Sequence, residues 1–595
     1  MPGLYGLIAR DSANPPAGFP PARHLWSRAA RESYIAEPRL ILGSYQRHRP
    51  PRAASFHQND SRFAALYGHC LDPRTGRPLD ASAFLDGLRD EGDTLLDRLE
   101  GAFHAVVADR EQRRLRLIID RIGIAHVYWY QDEDVFAFAP RIGLLPPAVR
   151  RGAPDPGAVI NFLSVGHFLG PATQLAAVRF LTPATILEID LDSLTLQERR
   201  YWNLVYTPDE ATSPARLRDE LGEAIVAATE LMTQPESGRP GIFLSGGWDS
   251  RSLLGASLRL DRAPQLVVTN GKTDELPLTD TNLARRMATD LGLPYRFCRR
   301  VPDIGRAAWL DGLHKGELTT ANNPENFGQH DLPPDYFDEI DYILKGDVTW
   351  GSGAPALDRR QSIAKIVPYP LMDNVKAVLN PDLRPRADKL YEAEIDSVVR
   401  HCENDGWTER RDYLWQMGGI NRYILGLGIS DEEHVQVRRP LLAGSVLAVY
   451  TRVPRRYRIH KNLFVESLST FYPHLFKYGR AHVGNIAYYY AYMADWVRER
   501  TLAHLDAGHD VHGLLDRDAC RAVIEAFRPR EDPDRLLGWR TRLKYRFHDR
   551  YSHFWYRNQL YREKNVKQFK TTPTMLAFHI YLLLEWFHGF YEPPE

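Results

Sequence analysis

The chain has 595 residues, 44% of them hydrophobic, with Lys+Arg and Asp+Glu both at 76. That length is too great for one core and predicts roughly two to four packed units. The zero formal charge removes any global argument for nucleic acid or an anionic membrane as partner. Cys70, Cys298, Cys402 and Cys520 are scattered, in no CxxC or zinc spacing, which predicts free thiols and a cytoplasmic location. The N-terminus has no basic segment followed by an apolar signal core. The apolar stretch from Met575 to Leu584 contains His579 and is too short to be a transmembrane segment.

In chain order, Leu4 to Ile8 alternates as a strand does. Ala102 to Asp109 and Leu115 to Arg121 predict a hairpin across a polar turn, and Val127–Tyr130 with Val135–Ala139 predict a second. Thr185 to Asp190 is a further strand. Strand runs with helices between them predict an α+β sandwich over residues 1–205.

Residues 206–595 open a different pattern. Gly241 to Leu244 is a short buried strand, Ser245-Gly246-Gly247 a tight turn, and Asp249-Ser250 the start of a helix. Such a turn is an anion site, because backbone N–H groups and the helix dipole face the ligand while glycines let it come close. Ser245 and Ser250 add hydroxyl donors. Asp249 repels phosphate directly, so its presence predicts a shared Mg²⁺. No Gly-Lys-Ser/Thr follows, which excludes a Walker loop. Leu266 to Gly271 predicts the next strand, with Asn270 and Gly271 at its end, and Leu283 to Leu291 the next helix. Asp341 to Gly346 predicts a third strand, followed by Asp347.

The run Ser-Gly-Gly-x-Asp-Ser after a strand resembles the pyrophosphate loop of N-type ATP pyrophosphatases. Around it, Gly101-Ala102-Phe103, Asp120-Arg121-x-Gly123, Arg179 to Ala184 and Tyr201-Trp202 resemble the glutaminase half of the asparagine synthetase family. Val435 to Leu442 resembles that family's Glu-x-Arg-x-Pro-Phe-Leu, with Gln436 in place of Glu. Arg458 to Phe464 resembles the segment that carries its essential lysine, which makes Lys461 the candidate. The resemblance implies an α/β chain. An Ntn-hydrolase-like sandwich (1–205) would precede a parallel-sheet ATP pyrophosphatase domain with a helical C-terminal region (206–595).

The departures carry as much information. The family opens Met-Cys-Gly, and its cysteine is the glutaminase nucleophile; here Pro2 stands there, and proline has no thiol. Leu66-Tyr67-Gly68-His69 stands where the family has Asn-Gly-Glu. Cys70 is internal and lacks the free amine that serves as base. Gly346-Asp347-Val348-Thr349-Trp350 replaces Gly-Glu-Gly-Ser-Asp, so Asp347 keeps the first acid while Trp350 falls where the second, metal-binding acid belongs. Asp347, Glu325 or Asp331 could fill that gap.

The resemblance therefore implies an ATP- and Mg²⁺-dependent ligase that adenylates a carboxylate and passes it to an amine or ammonia, without its own glutaminase. Ser245, Gly246, Gly247, Asp249, Ser250, Asn270, Gly271 and Gly346 would hold nucleotide, Asp249 the metal, and Lys461 and Asp347 would act in catalysis. The carboxylate is left open as a small molecule, peptide or saccharide, and a homodimer is also left open. An intramolecular cyclase of the β-lactam synthetase or lasso-peptide type, and a nucleotide-binding pseudoenzyme, are the alternatives. Arg251 reads either as a phosphate contact or as a surface arginine. The basic, aromatic segment 539–570 reads chiefly as amphipathic helix.

Overall fold

The computed structural model describes residues 2–10, 29–47, 54–271, 273–275, 277, 279–300, 305–322, 337–347, 355–479, 481, 495–528 and 570–589. Glu325, Asp331, Trp350 and most of segment 539–570 lie outside them. The strands in chain order begin with β1 (Gly3–Ala9), β2 (Ala29–Glu37), β3 (Leu40–Arg47), β4 (Ala54–Gln58), β5 (Arg62–Asp72) and β6 (Arg77–Pro78). Next come β7 (Glu100–Asp109), β8 (Arg114–Ile119), β9 (Tyr128–Gln131), β10 (Val135–Ala139), β11 (Val178–Phe180), β12 (Thr185–Asp190) and β13 (Leu196–Arg200). The last five are β14 (Pro240–Phe243), β15 (Leu266–Gly271), β16 (Tyr295–Arg299), β17 (Tyr342–Leu344) and β18 (Gln436–Arg438).

The first thirteen strands form two antiparallel sheets. One is six-stranded in the order β11-β9-β10-β1-β3-β2; the other runs β13-β12-β8-β7-β5-β4, with β6 on β5. Both expected hairpins are present, as β7 with β8 and β9 with β10. The period-2 geometry of a strand sorts its side chains between layers. Phe63, Ala65, Tyr67, Val106 and Ala108 join Leu4, Ile8 and Phe138 between the sheets. Ala64, Leu66, Ala105 and Val107 face the other way, onto Phe84, Leu85 and Leu88 of the helix Ala81–Glu91. β1 is buried along its whole length, because Tyr5, Leu7 and Ala9 on its second face enter the large core that also holds the helix Pro156–Val165.

The last five strands form one parallel sheet in the order β16-β15-β14-β17-β18. Here too the side chains divide, with Ile242, Leu244, Val267 and Leu344 on one face and Val268, Ile343 and Val437 on the other. The chain winds outward in one direction from β14 to β16, then returns to start again at β17. The strand order thus reverses between β14 and β17. In an open α/β sheet such a reversal opens a crevice beyond the carboxyl ends of the two strands.

Polar contacts tie the antiparallel and parallel parts together. Glu317 takes Arg141 Nε at 3.2 Å and the Ile142 and Gly143 amides at 2.9 and 2.7 Å. Asn421 Nδ2 donates to the Ile122 and Gly123 carbonyls at 3.1 Å each. Glu100 accepts from the Gly444 amide at 2.7 Å and pairs with Arg121 at 3.3 Å. Among the described residues, no helix is long and apolar enough to cross a membrane.

Candidate functional site

The loop after β14 sits in the crevice. Its helix runs Trp248–Arg259 with Gly247 as N-cap, and Asp249 lies in the first turn. The Ser245 amide donates to Ser250 Oγ at 3.0 Å, and the Gly247 amide to Ser245 Oγ at 3.1 Å. Ser245 Oγ and Ser250 Oγ are themselves 3.0 Å apart. The two hydroxyls expected to reach a ligand are thus turned onto the loop's own amides, which fixes the turn when no anion is there. A Cβ on Gly246 would stand 2.7 Å from Leu283 Cδ1 and 3.1 Å from Asp280 Oδ1, so the helix Asp280–Asp290 walls this side.

The β17 end arrives from the other side. A Cβ on Gly346 would lie 2.6 Å from both the Asp249 carbonyl carbon and the Ser250 nitrogen. Only a residue without a side chain lets these two backbones approach so closely. Asp347 follows, and Arg439 Nε donates to its carboxylate at 3.1 Å while Lys345 Nζ stands 3.8 Å away. Arg439 also pairs with Glu432 at 3.1 Å, and Lys345 with Asp431 at 3.1 Å. Burial lowers the pKa of both cations, but their carboxylate neighbours outweigh it and raise them on balance. Asp347 is thus held in a buried charge network.

Lys461 comes from the far side of the sequence. Its Nζ lies 2.7 Å from Asp249 Oδ2 and 3.0 Å from Oδ1. The backbone presenting it is unusual: His460 and Lys461 both have left-handed φ, 56° and 61°, just before the helix Asn462–Phe471. Non-glycine residues in this region cost of order 1 kcal/mol or more each and collect at ligand clamps.

Ser245, Gly246, Gly247, Asp249, Ser250, Gly346, Asp347 and Lys461 therefore meet at one place. Asn270 and Gly271 end the neighbouring strand β15, where Gly271 accepts from the Arg300 amide at 2.7 Å. Arg251 is not at the surface. It is 1% exposed, donates to the Gly246 and Leu475 carbonyls at 2.9 and 3.1 Å, and lies 4.5 Å from the Trp248 ring centroid. Those carbonyls satisfy its charge in place of water, while burial pushes its pKa down to about 10. The sequence reading also overlooked Arg439 and Lys345, whose role depends on acids far away in the chain.

Among the described residues, no group of three His, Cys, Asp or Glu side chains converges as a protein-bound metal would require. A divalent ion here would rest on Asp249 and on oxygens of the bound ligand. That fits magnesium, which is often held by one or two carboxylates plus substrate phosphates. It also requires Lys461 to leave Asp249, and phosphate offers the ammonium another partner.

At the N-terminal sheets, Pro2 is buried and the Leu4 amide donates to His104 Nε2 at 2.9 Å. Cys70 pairs with Gly101 across β5 and β7; burial, with Asp120 and Asp72 nearby, drives its thiol pKa well up. A thiol so disfavoured as thiolate is a poor nucleophile. Asp120 accepts from the Ile122, Ile124 and Ala125 amides at 3.0 Å each, holding the turn that carries Gly123 to Asn421. Gly101, Asp120, Arg121 and Gly123, read in the sequence as glutaminase signatures, thus build a turn and an internal contact surface.

Residues 78–202 match the family described as glutamine amidotransferase domain. No match is found among curated proteins. Similar solved structures include the glutamine phosphoribosylpyrophosphate amidotransferase from B. subtilis complexed with ADP and GMP. The two share 11% identity over 51% of this chain and 61% of that one, less than two thirds of its length, at a TM-score of 0.19. A structure of the allosteric regulatory enzyme of purine biosynthesis shares 11% identity over 50% of this chain and 80% of that one, at a TM-score of 0.21. Superpositions this loose carry no argument about architecture. The family match makes the N-terminal part of the chain glutamine-amidotransferase-like.

Proposed function

We propose that the chain is an ATP-dependent ligase of the asparagine synthetase type that makes an amide bond without using glutamine. Residues 1–205 would be a glutaminase-like domain that has lost its chemistry, and 206–595 the adenylating domain. The carrying observation is the convergence, at the β14/β17 reversal, of the Ser245–Ser250 loop, Gly346-Asp347 and Lys461. A substrate carboxylate attacks the α-phosphate of ATP, and pyrophosphate leaves from the loop after β14. An amine or ammonia then displaces AMP from the acyl adenylate.

Each residue has a stated part. Loop amides and the helix N-terminus bind the leaving pyrophosphate. Asp249 would hold Mg²⁺, which when bound neutralises phosphate charge. Lys461, released from Asp249, stabilises charge that builds on phosphate oxygens in the transition state. Asp347, fixed by Arg439, takes a proton from the attacking amine. Pro2 and the buried Cys70 support a nitrogen source other than glutamine. Carboxylate-dependent exchange of labelled pyrophosphate into ATP tests the adenylation step.

A nucleotide-binding protein without turnover is the second reading. The observation favouring it is that Arg439 already engages Asp347 and Lys461 already engages Asp249. That protein would bind ATP and give no exchange with any carboxylate.

A further inference from the structure

Away from this crevice, four histidines gather where the C-terminal helical turn meets the helix Asp495–Asp506. His504 Nδ1 lies 2.9 Å from His509 Nδ1, and His504 Nε2 lies 3.0 Å from Glu585 Oε2. The His509 ring stacks on His588 at 4.1 Å between centroids with 6° between planes, and His512 is 5.8 Å from His588. The Val511 amide donates to His588 Nε2 at 3.1 Å. Neither the amidotransferase-like region nor the proposed reaction uses any of them. They do not converge as metal ligands among the described residues.

The hydrogen bonds fix the protonation pattern. His588 Nε2 accepts, so that nitrogen carries no proton and the ring is neutral. His504 and His509 face each other through Nδ1, so they share one proton between two nitrogens. A further proton has two places to go. On His588 Nε2 it breaks the bond from Val511; on the shared pair it sets a cation face to face with His588.

Among the remaining groups around the cluster Asp510 favours a charge on His588, but burial and the neighbouring histidines outweigh it. From the same helix Arg500 adds a positive charge and is paired with Glu585. Glu585, the nearest acid, is already engaged by Arg500 and His504, and these contacts, against the opposing effect of burial, pull its pKa to about 2. Asp510 lies in the loop and accepts from the Gly513 amide at 2.8 Å. His314 and Asp311 approach from the helix Arg306–Gly316, where Asp311 pairs with Lys315 at 2.7 Å. Arg517 approaches Gly508 from the helix Arg517–Ala526.

We propose that this cluster is a proton-operated latch that fastens the C-terminal helix Pro573–Leu584 to the rest of the fold and releases it on acidification. That helix reaches the first half of the chain directly, through His579 Nδ1 to the Leu163 carbonyl at 2.9 Å. Just ahead of it, Thr571 Oγ1 donates to the Ser164 carbonyl at 2.6 Å. Opening the latch loosens one of the segments that join the two halves. Burial first, then the neighbouring histidines, pushes the His588 pKa to about 4. The open form therefore gains on the closed one as pH falls from about 6.5 toward 4, roughly tenfold per pH unit.

Hydrogen exchange on the full chain tests it, with protection factors corrected for the intrinsic pH dependence of exchange. Between pH 6.5 and 5, protection over residues 573–589 should drop about fifteen-fold, while β15 in the parallel sheet, which carries no histidine, serves as the reference for global unfolding. His588→Gln keeps an acceptor for Val511 and cannot be protonated there, so its drop should be clearly smaller than that of the wild type, the remainder coming from buried His579 on the same helix. His509→Phe keeps a flat ring against His588 without a second charge, and should give an intermediate drop. Equal protection at both pH values overturns the latch, as does a fall matched by β15. If His588→Gln does not fold at pH 6.5, His509→Phe decides alone, and a drop equal to wild type overturns the proposal.

Discussion

Lys461 Nζ bridges both oxygens of Asp249, at 2.7 and 3.0 Å, across 212 positions of sequence. One partner opens the helix after β14, and the other sits on a strained left-handed turn. The ammonium thus neutralises the carboxylate that a nucleotide-bound metal would need. Lys461→Ala should lower the adenylation rate by about 100-fold or more while weakening ATP binding much less, because the lost charge acts on the transition state. Rapid-quench measurement of acyl-adenylate formation beside equilibrium ATP binding checks this. Equal losses in both would place Lys461 in ground-state binding instead.

Asp249→Ala should leave metal-free ATP binding intact or improved, since a repelling carboxylate is gone. It should also abolish the gain from Mg²⁺. Titration calorimetry with and without the metal reads both effects. A mutant that gains from Mg²⁺ as wild type does refutes the metal role of Asp249.

Gly346→Ala should cost about 1–3 kcal/mol of stability, as overpacking does, because its Cβ would meet the Asp249–Ser250 backbone at 2.6 Å. Backbone atoms cannot rotate aside as a flexible side chain can. The loop should move with it, so ATP binding should fall as well. Denaturant unfolding and ATP titration of the same variant check both, and a variant unchanged in both would show that the two loops do not press together.

Much of this frame was legible from pattern alone. The two hairpins in the first 140 residues follow from alternation across polar turns, and the strand-turn-helix of Gly241 to Ser250 from small residues between apolar runs. β2 to β5 carry weaker pattern and were not read. The ion pairs of the crevice escaped because charge pairing depends on distant neighbours. Nothing near Arg251 in the sequence announces the Leu475 carbonyl, and nothing near Asp347 announces Arg439. The Asp120-Arg121-x-Gly123 segment is the instructive case. Its residues stood out, yet their visible work is to hold a turn against Asn421 and to lay the Arg121 side chain against Gly444.

Glutamine should not be hydrolysed. Pro2 offers no thiol, and the Cys70 thiol is buried on the helix-covered face of its sheet with its pKa driven up. Pro2→Cys alone should give no glutamate above background, because in the proposed reading Leu66-Tyr67-Gly68-His69 also stands where glutamine-binding residues would be needed. Glutamate release that survives Cys70→Ala in the otherwise native chain would contradict this.

The first half of the chain should be acid-sensitive through His104. Burial pushes its pKa down to about 4, while Nε2 accepts from Leu4 and Nδ1 faces the Ala125 carbonyl at 3.1 Å. The folded form thus holds the ring neutral where the unfolded chain would protonate it. Stability is full above the ordinary value near 6.5 and is lost as pH falls from there toward 4, by about 1.4 kcal/mol per unit. His104→Gln keeps an acceptor for Leu4 and should lessen that slope, to which buried His126 and His167 also contribute, measured by urea unfolding at pH 6.5 and 5. An unchanged slope would mean that His104 is already protonated in the fold.

If this crevice activates a carboxylate, it cleaves ATP between the α and β phosphates. The direct measurement is the nucleotide product formed from α- and γ-labelled ATP with a panel of amino-acid, peptide and uronic-acid carboxylates, with an amine present. The account predicts AMP and pyrophosphate in equal amounts, dependent on one class of carboxylate and reduced about 100-fold or more by Lys461→Ala. ADP and phosphate as products, or no carboxylate-dependent cleavage despite measurable ATP binding, would contradict it.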